Sequence, residues 1–240
     1  MKNIDECVIL CGGESKRLKN KGAESKIFLP FGDKSLIAYQ FKKMQEIFPK
    51  VFISCKESQR EDIKQSLLDS AESADSANAD SANKDSTSAD SASADSANAD
   101  SADFKQKQPN FDEIFIVEKE AIFAPSVGIL AALEHSKGDK IFVLSCDCPL
   151  VKPKTIDILC KNAVDYDVIC AKDSAHLHYL VGVWSVAMKP ILRDAIDGGD
   201  FKLENLQKCA SIKSIYFDAG EFLNINTRSE YKNALKLLGL

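Results

Sequence analysis

CVILCGGESKRLKNKGAESK, residues 7–26, is the stretch from which the rest of the chain can be read. Cys7 to Cys11 is a short, unbroken apolar run, the pattern of a strand buried on both faces. It stops at Gly12-Gly13, where the backbone can turn tightly and bring its N–H groups up to a ligand, and the bases Lys16, Arg17 and Lys26 follow at once. A strand, a glycine turn and a basic loop suit a polyphosphate; an ordinary glycine turn ahead of a solvated basic loop is the competing reading of these residues alone. A P-loop requires a further glycine followed by Lys and Ser or Thr, and a dinucleotide fingerprint a third glycine opening a helix. Neither is present.

Working outward, Pro30-Phe31-Gly32-Asp33 reads as a turn, and Ser35 to Phe48 places Leu36, Ile37, Phe41, Met44, Ile47 and Phe48 largely on one helical face, ended by Pro49. Val51 to Cys55 reads as a second strand and Gln59 to Leu68 as a second helix. Further strands are expected at Glu113 to Val117, Lys140 to Cys146, Asp167 to Ala171, Leu180 to Val186 and Ile212 to Phe217. Helices are expected at Val127 to His135, from Pro153, around Pro190 to Ile196 and Leu203 to Cys209, and at Ser229 to Leu238. Strands alternating with helices predict an α/β domain of Rossmann-like form, with a mostly parallel central sheet and helices on both faces.

Residues 70–103 break this pattern. Asp recurs at 75, 80, 85, 90, 95 and 100, each time followed by Ser, in a unit of the Asp-Ser-Ala-Asn-Ala kind. Five residues advance about 500° around an α-helix, so each unit drifts by roughly 140° and no fixed face forms. With nothing larger than Ala to bury, and with Ser, Asp and Asn bonding their own backbone, the segment reads as a disordered insert, or as a partly helical spacer. One domain is therefore expected, made of 1–69 and 104–240. Length changes in the insert should cost little, because loop-closure entropy grows only logarithmically.

The chain has 240 residues, is 45% hydrophobic and carries a net charge of −5. The insert alone holds −7, which leaves the remainder at +2. That balance speaks against a nucleic-acid surface and permits an anionic small substrate. No apolar run is long enough to span a membrane, and the polar start Met1-Lys2-Asn3-Ile4-Asp5-Glu6 has no signal-peptide character, so a cytoplasmic protein without membrane partners is expected. Eight scattered cysteines, several within apolar runs, read as free thiols in a reducing compartment. Cys146-Asp147-Cys148 lacks the second Cys or His pair of a metal-thiolate site and reads as two core cysteines flanking a functional Asp.

In an open α/β sheet, ligands sit beyond the carboxyl ends of the strands. The Gly12-Gly13 loop follows one such end and Asp147 another. A carboxylate opposite a polyphosphate loop is a natural holder of Mg²⁺, which takes oxygen ligands from one or two carboxylates and from phosphates. A turn-capping role ahead of Pro149 is the alternative for Asp147.

The opening stretch resembles the signature of the molybdenum cofactor guanylyltransferases and their nucleotidyltransferase relatives, L-A-G-G-x-S-x-R-M-G followed closely by D-K. Leu10, Gly12, Gly13, Ser15, Arg17 and Lys26 match; Cys11 replaces Ala, Leu18 replaces Met, Ser25 replaces Asp, and Lys21 is an alternative to Lys26. Ser145-Cys146-Asp147-Cys148-Pro149 is similar to the family's C-D-x-P element, whose Asp binds the metal. Ala124-Pro125-Ser126-Val127-Gly128 resembles G-P-L-A-G and keeps its last glycine. His178-Tyr179-Leu180-Val181-Gly182 resembles H-P-L-x-G, and Phe222-Leu223-Asn224-Ile225-Asn226-Thr227 matches F-x-N-x-N-T. Ser54 stands where the family often has Asn, and Glu118-Lys119 where it often has Asp.

The resemblance implies transfer of GMP from GTP to the phosphate of a molybdopterin-type cofactor, with Mg²⁺ as cofactor. Arg17, Lys26 and Asp147 would be catalytic, and Asp147 would hold the metal. Leu10, Cys11, Gly12, Gly13, Ser15, Arg17, Lys26, Ser54, Lys119 and Gly128 would bind the nucleotide; His178, Lys202, Asn224 and Asn226 would bind the acceptor. Molybdoenzymes or their chaperones would be recipients of the product, and a monomer or weak homo-oligomer is expected. The alternatives are CMP transfer to a molybdenum cofactor, activation of a sugar phosphate, and a non-catalytic nucleotide-binding cofactor carrier.

Overall fold

A computed structural model describes residues 4–12, 25–82, 111–120, 122–218 and 220–240, with the backbone alone from 73 to 82. The apolar run becomes β1 (Glu6–Leu10), an interior strand with every residue buried. Its residues alternate between two cores: Cys7, Ile9 and Cys11 pack on one face of the sheet, Val8 and Leu10 on the other. That period of two is what a strand covered on both sides requires.

β1 belongs to a seven-stranded sheet whose order is β3 (Phe115–Val117), β2 (Lys50–Cys55), β1, β4 (Lys140–Ser145), β6 (Leu177–Ser185), β5 (Val168–Lys172) and β7 (Ile212–Tyr216). β1 pairs in parallel with β2 and β4, β2 with β3, and β5 with β7; β6 alone runs antiparallel, between β4 and β5. The mostly parallel sheet expected from the sequence is therefore present. After β1 the chain builds outward through β2 and β3, then crosses to β1's other side for β4. The order reverses there, and the reversal opens a crevice above the carboxyl ends of β1 and β4.

Helices cover both faces. α1 (Leu36–Gln45), α2 (Glu57–Ala82), α4 (Pro153–Lys161) and α6 (Arg228–Leu238) contribute to the core that holds Cys7 and Ile9. α3 (Pro125–His135) and α5 (Lys189–Asp197) contribute to the core that holds Val8 and Leu10. Ser35 caps α1 by accepting the Ala38 N–H at 3.2 Å, and Thr227 and Glu230 form a reciprocal capping box on α6. No helix among the described residues is long and apolar enough to cross a membrane.

Two expectations need correction. α2 runs to Ala82, into the repeat for which the sequence reading prefers disorder and keeps a partly helical spacer as the alternative. The preference for disorder rested on the lack of an apolar face, but Ile63 and Leu67 already anchor the helix, and an Ala-rich continuation without Gly or Pro extends it; residues 83–103 lie outside the described residues. Phe111–Ile114 is a helical turn rather than the start of β3, with Asp112 accepting from Arg60 and Lys64 of α2 at 3.3 and 3.1 Å. The helix expected at Leu203 to Cys209 is present as a 3-10 helix, Leu203–Lys208.

Gly182 has a packing reason. A Cβ there would stand 2.3 Å from the Ile169 carbonyl oxygen, beside the register shift between Cys170 and Ala171. Only glycine lets β6 approach β5 this closely.

Candidate active site

The crevice brings together residues far apart in the sequence. Asp147 stands two residues past the end of β4, and the ladder continues into its turn through the Cys146 N–H, which donates to the Leu10 carbonyl at 3.1 Å. Lys26 opens the 3-10 turn Lys26–Phe28, and its Nζ lies 2.5 Å from Asp147 Oδ2 and 3.0 Å from Asn226 Oδ1. Ser145 Oγ donates to Asp147 Oδ1 at 2.5 Å. Both carboxylate oxygens are thus engaged, one of them by a cation.

The segment Phe222 to Thr227 docks on the same turn. The Ile225 N–H donates to the Asp147 carbonyl at 2.9 Å, and Cys148 Sγ donates to Asn224 Oδ1 at 2.7 Å. The Asn226 and Thr227 N–H groups both donate to Glu230 Oε2, at 2.9 and 2.7 Å, so the α6 cap fixes Asn226. From behind, α1 holds the turn: Gln40 Nε2 donates to the Cys146 carbonyl at 3.3 Å, and Lys43 Nζ to the carbonyls of Pro149 and Val151 at 2.8 and 2.6 Å.

Beside Asn226 lies a cavity of about 520 Å³ lined by Asp173, His178, Phe222, Asn224, Asn226 and Glu230, among others. His178 stacks on Phe222 with ring centroids 4.5 Å apart, and its Nε2 is 2.9 Å from Asp173 Oδ2. The Asp173 carboxyl is held well below the usual carboxylate range by the Ala175 N–H, the His178 ring and the His176 N–H. A larger cavity, about 1270 Å³, opens at the amino ends of β1 and β2 and contains none of the residues nominated from the sequence.

On the other side of β1, the nominated residues Leu10, Gly12, Ser54 and Gly128 meet around one group that was not nominated, the Glu118 carboxylate. Ser54 Oγ donates to Glu118 Oε1 at 3.0 Å, and Cβ atoms placed on Gly12 and Gly128 would stand 3.3 and 3.0 Å from that oxygen. A Cβ on Gly128 would also stand 3.2 Å from Leu10 Cδ2. Cys11 lies buried beside them, its N–H donating to the Ser54 carbonyl at 2.9 Å. Lys119, by contrast, is exposed. Glu118 continues the ladder, donating its N–H to the Cys55 carbonyl at 3.0 Å, so alternation turns its side chain inward and that of Lys119 outward. A carboxylate one residue past an apolar strand was the signal that could have found it.

A sequence model of the MobA-like NTP transferase domain matches residues 7–78 and 95–210, which cover most of the chain and include both sides of this crevice. The chain belongs to that family. The molybdenum cofactor guanylyltransferase of Helicobacter pylori (strain G27) is 28% identical over 246 residues, covering 99% of this chain and 97% of that one. The solved structure of molybdopterin-guanine dinucleotide biosynthesis protein A from Archaeoglobus fulgidus superposes with a TM-score of 0.64 at 18% identity, covering 98% of each chain. Rv0371c from Mycobacterium tuberculosis H37Rv, solved in complex with manganese, superposes with a TM-score of 0.60 at 12% identity, covering 98% of this chain and 99% of that one.

As a MobA-like NTP transferase domain, the chain is a nucleotidyltransferase, and its nominated residues fall into three groups. Lys26, Asp147, Asn224, Asn226 and His178 surround the crevice and the cavity beside it. Leu10, Cys11, Gly12, Ser54 and Gly128 cluster at the carboxyl ends of β1 and β2 and on α3. Lys202 stands apart: it is exposed, its N–H donates to Asp200 Oδ1 at 3.1 Å, and the adjoining Phe201 carbonyl accepts from Ser126 on α3. Gly13, Ser15 and Arg17 lie outside the described residues, as do Leu18 and Lys21.

Among the described residues no group of three or more His, Cys, Asp or Glu side chains is placed to hold a metal ion. One carboxylate facing a triphosphate is nevertheless a donor set that suits Mg²⁺, with phosphate and water completing the shell. The ammonium held against Asp147 Oδ2 marks that oxygen as a cation acceptor, so the residues present fit such an ion. Cys146 and Cys148 are buried around it, and burial, with Asp147 alongside, pushes the Cys148 thiol well up. Such a thiol is a poor nucleophile at neutral pH.

Proposed function

We propose that this chain transfers GMP from GTP to the terminal phosphate of a molybdopterin-type cofactor and releases pyrophosphate, in the cytoplasm. The observation that carries the reading is the meeting of Lys26, Asp147 and Asn226 at the strand reversal, with a cavity on the Asn226 side for the acceptor. The likeness to curated guanylyltransferases over nearly the whole chain supports GTP and molybdopterin as the substrates.

The acceptor phosphate is already anionic and needs no strong base. Its oxygen attacks the α-phosphorus, the bond from that phosphorus to the β-phosphate bridging oxygen breaks, and pyrophosphate leaves with the charge. Catalysis is then positioning and charge neutralisation. The N–H groups of Gly12 and Gly13 and the side chains of Arg17 and Lys26 hold the triphosphate, and Lys26 offsets charge on the leaving group. Asn224 and Asn226 orient the acceptor, and His178 borders its cavity. Asp147 would hold Mg²⁺, which would supply further charge neutralisation.

The test is pyrophosphate release by the full chain with Mg²⁺, molybdopterin cofactor and each of the four ribonucleoside triphosphates. Release with GTP alone is expected. Release with CTP would replace the base assignment, and no release with any of the four would favour a non-catalytic carrier.

A further inference from the structure

Cys148 occupies the variable position of C-D-x-P, to which the motif assigns no role, yet its thiol meets the segment assigned to the acceptor. The Cys148 N–H closes the turn by donating to the Ser145 carbonyl at 3.1 Å, and the residue is 3% exposed. Its Sγ donates to Asn224 Oδ1 at 2.7 Å and lies 3.8 Å from Asp147 Oδ1. Asn224 itself is exposed and lines the cavity of about 520 Å³. An asparagine amide has two ends of nearly the same shape, one accepting and one donating, so its partners decide which end faces a ligand. Here a buried donor holds the oxygen and leaves the amino end to the cavity. Asn226 repeats the arrangement, its Oδ1 accepting from Lys26 Nζ at 3.0 Å. Among the described residues neither Nδ2 donates a hydrogen bond to the protein.

We propose that Cys148 is a positioning residue for the acceptor: its thiol fixes Asn224 with Oδ1 inward and Nδ2 toward the cavity, where the amino group donates to the acceptor's phosphate oxygens. The inference rests on the guanylyltransferase reading above and names what aims one of its acceptor contacts. An ionised phosphate offers only acceptor atoms. An amide that presented its carbonyl would repel it, and the same amide presenting its amino group binds it. The backbone of the segment is already tied down by the Ile225 N–H on the Asp147 carbonyl, so the side-chain orientation of Asn224 is what remains to be set. A thiol is a weak donor, but a buried one is not in competition with water, and a modest preference between two orientations suffices.

Cys148 touches neither substrate in this scheme, so its role is read through Asn224. Pyrophosphate release by the full chain with Mg²⁺ would be followed while molybdopterin cofactor and GTP are varied in turn, alongside thermal melts. Cys148→Ala removes the donor and is expected to raise the KM for the acceptor about 5- to 10-fold, with the KM for GTP within roughly twofold. Cys148→Val removes the donor but keeps the volume, and should show the same acceptor KM. Cys148→Ser returns an O–H donor and should bring the acceptor KM to within about threefold of the wild type. Asn224→Ala should raise it by about 10-fold, and adding Cys148→Ala should raise it no further, because no amide is left to aim. A thiol that only filled the core would act alike with and without the Asn224 amide. A double variant whose acceptor KM shows the product of the two single effects, or a Cys148→Val with the wild-type acceptor KM, would overturn the inference alone. A wild type that releases no pyrophosphate with any nucleotide would overturn the guanylyltransferase reading and the inference with it.

Discussion

Lys26 Nζ sits 2.5 Å from Asp147 Oδ2, an ion pair between the basic loop after β1 and the turn after β4, 121 residues apart in sequence. Both side chains are largely buried, and Asn226 and Ser145 complete the group. The pair lies where the strand order reverses, so the fold places it at the crevice beyond the carboxyl ends of β1 and β4. Asp147→Asn keeps the shape and removes the charge. Turnover, read as pyrophosphate release, is expected to fall by about 100-fold or more, the scale of losing one preorganised charge. Tm should fall by no more than roughly 5 °C. A variant with wild-type turnover would remove Asp147 from the mechanism.

The same contact bears on cation binding. With Lys26 on Oδ2 and Ser145 on Oδ1, a divalent ion meets Asp147 only after the ammonium moves, and triphosphate oxygens are what would draw it away. Lys26→Met should therefore bind Mn²⁺ more tightly than the wild type in the absence of nucleotide, on the order of 5-fold, as measured by Mn²⁺ electron paramagnetic resonance. It should also lose turnover. Weaker Mn²⁺ binding by the variant would show that Lys26 does not compete for the carboxylate.

Lys43 supports the Asp147 turn from behind, through the carbonyls of Pro149 and Val151. Burial pulls its ammonium down to about 8, against the opposing pull of Glu221, Cys148 and Glu46. The unfolded chain, with Lys43 at its ordinary value near 10.5, binds more protons between those two pH values, so stability from this group rises as pH climbs from about 8 to about 10.5. Below pH 8 the gain is absent. The Tm difference between wild type and Lys43→Met should shift in favour of the wild type across that window. The loosened turn should also lower kcat by about 10-fold while the KM for GTP changes little. A Tm difference that stays flat from pH 7 to 10.5 would contradict the shift.

What could be read from the sequence follows from which signals are local. β1 announced itself because an interior parallel strand must be apolar on both faces, and Asp147 because it ends another such run before Pro149. The F-x-N-x-N-T ending nominated Asn224 and Asn226, and the structure adds that their segment hydrogen-bonds the Asp147 turn. Glu118 was passed over for Lys119 because choosing between neighbours needs the phase of a three-residue strand, which three residues cannot establish. Gln40 and Lys43 look like ordinary polar positions on an amphipathic helix; only the packed carbonyls of residues 146–151 show what they hold. The extension of α2 was held only as the alternative to disorder because periodicity detects helices that bury a face, and the repeat carries no side chain larger than Ala to bury.

His178 was nominated by its motif, but its partners come from the fold. Asp173, five residues earlier in the turn before β6, receives the Ala175 and His176 N–H groups at 2.8 and 2.7 Å and faces His178 Nε2, while Phe222 lies against the imidazole ring. With its carboxyl held far down, the stability Asp173 contributes is full above the ordinary carboxylate pKa and is lost only as pH falls through its lowered one. At assay pH it is a fixed negative charge that sets the orientation of the imidazole. Phe222 continues directly into Asn224 and Asn226, so the ring is braced against the segment assigned to the acceptor. Asp173→Asn and His178→Ala should each raise the KM for the molybdopterin acceptor by about 10-fold and leave the KM for GTP within roughly twofold. An increase confined to GTP would move His178 to the nucleotide side and leave the 520 Å³ cavity without its assigned ligand.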